Sequence, residues 1–111
     1  NFAFAAGIQE MLLQSHAGVV RVFPAVPLSW KDVSFASFRA EGAFLVSAGM
    51  RAGRVVEVRI VSEKGGRLRL ENPFPDGAYA VAGAAKGSVE SVGPVIEAGL
   101  RPGETLLLRS K

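Results

Sequence analysis

From Gly18 onward, apolar residues recur at every second position in short runs, and each run is closed by Gly, Pro, Asn or Asp. A period of two lines one face of an extended strand, because successive side chains point to opposite sides. Many short strands broken at close spacing have few ways to bury those faces together. The pattern predicts an antiparallel β-sandwich or barrel. Val20 and Val22 flank Arg21, and Pro24 and Pro27 hold an extended connector down to Trp30. Phe35 to Glu41 and Ala43 to Ala48 read as two strands joined near Gly42. The clearest run is Val55 to Ser62, where Val56, Val58 and Ile60 alternate with Glu57 and Arg59. Glu63-Lys64-Gly65-Gly66 predicts a turn, and Arg67 to Glu71 the strand that returns from it. If Leu70 pairs with Ile60, Glu71 falls opposite Arg59, an ion pair of roughly 0.2–1 kcal/mol. Asn72 to Gly77 predicts a turn-rich loop. Ala78 to Ala82, Val95 to Ala98 and Thr105 to Arg109 give the later strands, and Gly83 to Gly93 a mobile loop.

The first residues follow another rhythm. Phe2 to Ser15 predicts a helix of good helix formers, with Asn1 as N-cap and Gly18 as its stop. At about 100° per residue, Phe4, Ala5, Ile8, Met11 and Leu12 share one face, while Phe2, Ala6 and Leu13 form a second apolar stripe. A helix apolar on most sides expects burial on most sides. A small β-domain covers one face only. The other face calls for partners outside these residues, or for self-association through the exposed patch. The chain opens at Asn1 inside this apolar pattern, without an initiator Met, and reads as a cut from something longer. The expected architecture is mainly β: an antiparallel sandwich of about seven or eight short strands preceded by one N-terminal α-helix.

Composition limits the chemistry. The 111 residues suffice for one domain with its own core. The absence of Cys removes disulfides and thiolate metal sites. A net charge of +3 is a small excess, and charges alternate in sign through Arg54, Glu57, Arg59, Glu63 and Lys64. A clustered basic face with interleaved aromatics is missing, so no nucleic-acid partner is expected. No run reaches the length of a membrane helix, and no signal peptide is visible. His16 is the single histidine and has no ligand partners at metal spacing, so no metal site and no cofactor are expected; it reads as a helix C-terminal residue suited to the dipole. No Ser lies in a nucleophile-elbow context. Glu10, Asp32 and Asp76 are the carboxylates closest to a hydrolase reading, and each is more simply a solvated or capping residue. Trp30, Phe74 and Tyr79 are candidate sugar-contact aromatics. Phe74, between two prolines, is the best exposed candidate, and an anchored loop aromatic is the competing reading. Trp30 also suits packing at a domain junction.

Several segments carry a resemblance. Asn1-Phe2 through Ala6-Gly7-Ile8, then Glu10 to His16, Pro24-Ala25-Val26-Pro27 with Trp30, Phe38-Arg39-Ala40, Gly42, Phe44 and the Gly65-Gly66 turn together resemble the end of the catalytic domain of family-95 glycoside hydrolases. The likeness covers roughly the first 70 residues; past Glu71 the β-pattern is generic. It implies that residues 1–17 are the last helix of an upstream (α/α)6 barrel and residues 18–111 a C-terminal β-sandwich. It further implies that the parent hydrolyses terminal α-1,2-linked L-fucose, or related L-galactose, with inversion, and acts on fucosylated glycans. The family's catalytic aspartate precedes the position matching Asn1, so no catalytic residue is carried over here. Asn1 is the single substrate-proximal position. Ala3, Glu41, Ala43 and Met50 depart from the family's common residues. The family is often secreted or periplasmic in bacteria, while the residues themselves leave the compartment open. The readings to weigh are a non-catalytic domain bracing a fucosidase-like barrel, a carbohydrate-binding sandwich, and a purely structural module.

Overall fold

The computed structural model describes residues 9–82 and 88–111. Its ten strands are β1 (Leu13–His16), β2 (Val19–Val22), β3 (Val33–Ala40), β4 (Phe44–Arg51), β5 (Arg54–Ser62), β6 (Gly66–Glu71), β7 (Tyr79–Ala82), β8 (Val89–Val92), β9 (Val95–Leu100) and β10 (Thr105–Ser110). They form two five-stranded sheets, ordered β1-β2-β6-β9-β8 and β3-β4-β5-β10-β7. All pairings are antiparallel except β2 with β6. Residues 9–12 are helical and lead directly into β1. The mainly β sandwich with an N-terminal helix is as expected, with ten strands in place of seven or eight.

Alternation builds the core. In the second sheet Val46, Ile60 and Leu106 stand in one cross-strand row, and Ala48, Val58, Leu108 and Val81 in the next. In the first sheet Val20, Leu70 and Ile96 align, with Leu68 beside Ala98. Both sets belong to one cluster, in which Val46, Val58, Ile60, Leu68, Leu70, Ile96, Leu106 and Leu108 are fully buried. Burying a side chain of this size contributes about 1.5–3 kcal/mol relative to exposing it.

Several expectations are corrected. Leu13–His16 is strand and not helix, because Leu13 joins the core while Gln14 and His16 are exposed, a period of two. Gly18 is therefore no helix stop. With Ala17 (φ 55) it sits at φ 78 in the two-residue turn of the β1–β2 hairpin, where positive φ matches strand twist. His16 pairs with Val19 in that hairpin and has no role at a helix end. Ile60 pairs with Val46 and Leu106, not Leu70, and Glu71 bonds to Arg21 at 3.2 Å, not to Arg59. The Gly65-Gly66 turn thus carries the chain from one sheet to the other. Val55 and not Val56 faces inward, because the register shifts between Gly49 and Met50. Val89–Val92 forms strand β8 inside the segment expected to be a mobile loop; residues 83–87 of that segment lie outside the described residues. The predicted helix positions 2–8 and the Asn1 cap also lie outside them. Among the described residues, no helix is long and apolar enough to cross a membrane.

The crossover is pinned by Ser62, the one buried polar side chain among the described residues. Its Oγ accepts the Gly65 N–H at 2.8 Å, its N–H donates to the Glu104 carbonyl at 2.9 Å, and its carbonyl accepts the Gly103 N–H at 2.6 Å. Gly65 has φ 77, and a Cβ there would stand 2.9 Å from Pro102 Cδ and 3.2 Å from the Leu100 carbonyl. Gly18 has nearly the same φ, +78, and open space around it. Gly65→Ala is therefore expected to cost more than Gly18→Ala, which carries only the left-handed penalty of about 1–2 kcal/mol. Urea denaturation of both variants checks this. Equal losses would show that the Pro102 contact yields freely.

Candidate functional site

The described residues bring no catalytic constellation together. Glu10 is exposed on the helix, and Asp76 is exposed in the 3-10 turn Pro75–Gly77. Asp32 Oδ1 accepts the Ala52 N–H at 2.9 Å, a structural bond. No group of three or more His, Cys, Asp or Glu side chains among the described residues is placed to hold a metal ion.

The aromatic candidates separate. Phe74 is 5% exposed and belongs to the core, which fits the anchored-loop reading and not the exposed one. The cause is local. Asn72 Oδ1 accepts the Phe74 N–H at 3.0 Å and Asn72 Nδ2 donates to the Gly77 carbonyl at 3.0 Å, which folds the loop back and turns the ring inward. Tyr79 is half-buried and stacks on Phe74 with centroids 5.9 Å apart. Its hydroxyl shares a 2.6 Å hydrogen bond with Ser91 Oγ, linking β7 of one sheet to β8 of the other. Both rings serve packing. Trp30 alone of the three keeps substantial open surface, at 36%, and makes no ring contact among the described residues. Its N–H donates to the Pro27 carbonyl at 2.9 Å, and the Leu28 side chain beside it is 91% exposed. Together with Phe23, Val26 and Lys31 they line a hollow of 210 Å³. Asn1 lies outside the described residues.

This apolar corner adjoins the helix. The Phe23 N–H donates to the Leu12 carbonyl at 2.7 Å and the Ala25 N–H to the Met11 carbonyl at 3.5 Å. The connector therefore caps the last helical carbonyls, which have no partner within the helix. Helix end, connector, Leu28 and Trp30 form one contiguous corner.

The two outer faces differ in charge. On the first sheet Arg67 reaches Glu97 through Nε at 2.9 Å and Nη2 at 2.7 Å, and Glu90 through Nη2 at 2.8 Å. Arg69 adds a 3.4 Å contact to Glu97, and Arg21 meets Glu71. The Arg67 guanidinium holds the Glu97 carboxyl below its ordinary range, Arg69 adds to the effect, and Arg67 in turn is raised, first by Glu97. Glu90 and Glu97 are cross-strand partners, yet both are engaged by one arginine. Glycoside hydrolysis needs one carboxyl kept protonated as an acid. Glu97, held low by Arg67 and Arg69, is unsuited to that acid role.

On the second sheet Arg39 pairs with Glu63, while Arg51, Arg54, Arg59 and Arg109 project outward with no carboxylate within 4.0 Å among the described residues. The sequence shows basic residues as scattered, because strand pairing alone decides which of them share a face. Nothing in the spacing of Arg51, Arg59 and Arg109 announces it.

The Glu97 linkage has a definite sign. Its folded pKa lies below its unfolded value, so the stability it contributes is present above the unfolded pKa and is lost as pH falls through the folded one. The destabilisation by Arg67→Gln is expected at about pH 7 and should vanish at about pH 2, below the carboxylate range. Urea unfolding of both proteins at both pH values measures it. The same deficit at low pH would mean that Arg67 acts through packing and not charge.

With this geometry in place, comparison with known proteins is informative. Residues 14–94 match the family described as glycoside hydrolase family 95, C-terminal domain. A curated protein named Alpha-L-fucosidase 2, from Arabidopsis thaliana, is 37% identical to this chain over 65 residues. That match covers 58% of this chain and 8% of the Arabidopsis protein.

Proposed function

This chain belongs to the C-terminal domains of family-95 glycoside hydrolases, and from that premise we propose that it is a non-catalytic domain bracing the catalytic barrel of an inverting α-L-fucosidase-type enzyme. The observation that carries the reading is the apolar corner where Leu28, 91% exposed, and Trp30, 36% exposed, line a hollow with Phe23, whose N–H bonds the Leu12 carbonyl at the helix end. Exposed apolar groups clustered beside the connection to another segment suit an interface within one polypeptide. The curated relative, of which the match spans a small part, carries the name of an α-L-fucosidase.

In this account the residues before β1 complete the barrel's last helix, and β1, paired with β2, goes with the sandwich. The parent acts on terminal α-1,2-linked L-fucose of glycans, with its catalytic carboxylates upstream. The domain's part is mechanical. It fixes the end of the helix through the connector bonds to Met11 and Leu12.

Two measurements test this. The pure 111-residue chain is expected to release no fucose from a fucosyl-α-1,2-galactose substrate; turnover would contradict the non-catalytic reading. In the full-length gene product, Leu28→Ser with Trp30→Ser is expected to lower the melting temperature, by at most about 2–4 °C per kcal/mol of lost interface in a protein of that size. The same pair in the isolated chain should change it little. Equal shifts in both contexts would place the two side chains in the domain's own stability and remove the interface.

A further inference from the structure

Two hollows meet at the end of the sandwich from which the helix departs. The 210 Å³ hollow beside Leu28 and Trp30 shares Phe23, Met50 and Gly53 with a larger one of 450 Å³, so the two form one groove between the connector, the β4–β5 turn and the loop of residues 72–77. Its floor is apolar: Met50 and Val55 are buried, and Phe23 is half-buried. Pro24, Pro73 and Pro75 wall the larger hollow, and a proline offers no backbone N–H. Three charged side chains line the groove, Lys31 at the smaller hollow and Arg54 and Glu71 at the larger. Glu71 is engaged by Arg21 at 3.2 Å. Lys31 and Arg54 have no carboxylate within 4.0 Å among the described residues. They flank Gly53, which lines both hollows, and a Cβ there would lie 3.8 Å from Lys31 Nζ. Asp32 and Glu57, the neighbouring carboxylates in sequence, line neither hollow, and Asp32 Oδ1 accepts the Ala52 N–H at 2.9 Å. The unengaged charges of the groove are therefore both positive, one in each hollow.

What fills such a groove must bring apolar side chains to the floor and a carboxylate to the two cations. A free partner has little area here with which to offset its lost translational freedom. A segment of the same polypeptide arrives at an effective concentration on the order of 1 mM. The geometry favours the second. Phe23, which lines both hollows, bonds the Leu12 carbonyl through its N–H at 2.7 Å, so the helix leaves the domain from the groove's own rim. The matched stretch is 8% of the Arabidopsis relative, and a parent of that kind has ample chain to return to this rim.

We infer that the groove seats a segment of the parent polypeptide preceding Asn1, apolar toward Met50 and Val55 and carrying an Asp or Glu whose carboxylate pairs with Lys31 and Arg54 across Gly53. The inference rests on the bracing reading, and adds to it a seat beyond the Leu28–Trp30 corner and the charge that the seated segment carries.

The test is acylation of lysines by an N-hydroxysuccinimide ester, read by mass spectrometry, in the full-length gene product and in the 111-residue chain. Lys31 is expected to react about tenfold more slowly in the full-length protein. Lys64, past the far end of β5 and roughly 26 Å from Arg54, should react equally in both. In the full-length protein Arg54→Glu sets like charge against the carboxylate and should restore most of the Lys31 reactivity, whereas Arg59→Glu, outside the groove, should not. In the isolated chain neither variant should change it beyond about twofold, and melting curves confirm that both fold. Protection of Lys31 that Arg54→Glu leaves in place would mean an apolar cover without the carboxylate, and overturns the inference. Slowing of Lys31 in the isolated chain as its concentration rises, with no further slowing in the full-length protein, would give the groove to a second copy and overturn it too. Equal labelling in both proteins also overturns it. If Leu28→Ser with Trp30→Ser then still lowers the full-length melting temperature, the bracing reading stands without this seat; if that shift is missing as well, both fall.

Discussion

Everything on the surface of this domain follows from one packed layer between two sheets. Val46, Ile60 and Leu106 in one sheet and Leu70 with Ile96 in the other point inward, fully buried, and every inward residue commits its neighbours to face outward. Register in the core therefore decides which charges meet outside. Leu68 and Leu70 facing in place Arg67 and Arg69 beside Glu97, and Val58 and Ile60 facing in place Arg59 outward. A slip of one residue in either sheet would bury those arginines and expose the leucines. The cost of that exchange makes the outer faces as well defined as the core.

Much of the fold was legible because alternation is a local signal. β5, β6, β9 and β10 sit where Val, Ile and Leu recur with period two, and the family resemblance pointed to the same sandwich. What stayed hidden depended on partners distant in sequence. Leu13 to His16 has the composition of a helix end, yet pairing with Val19–Val22 across a turn of positive φ draws it into a sheet. Glu63 to Gly66 has the composition of a hairpin, but Ser62 is tied by backbone bonds to Gly103 and Glu104, and β10 takes the place beside β5 that β6 was expected to fill. The shift of Val56 to the outer face follows from a register change that alternation cannot announce.

The candidate site was read less well, for a related reason. Aromatic side chains attract attention in a sequence, but whether a ring is exposed depends on a few hydrogen bonds. Asn72 turns Phe74 into the core, and Ser91 ties down Tyr79, while the proline-held connector leaves Trp30 in the open. Leu28, the most exposed large apolar side chain among the described residues, drew no notice because a lone leucine between Pro27 and Ser29 looks ordinary. The proposed interface is the corner where connector and helix meet.

The central claim is that the corner around Leu28 and Trp30 is an interface with the rest of a larger hydrolase. Amide hydrogen exchange compares the isolated chain with the full-length gene product most directly. Amides from Leu28 to Lys31 and along residues 9–12 should exchange fast in the isolated chain and be protected in the full-length protein. Those of β5, β6 and β10 should be equally protected in both. Unchanged exchange at the corner, or a sandwich that gains protection throughout, would contradict the account.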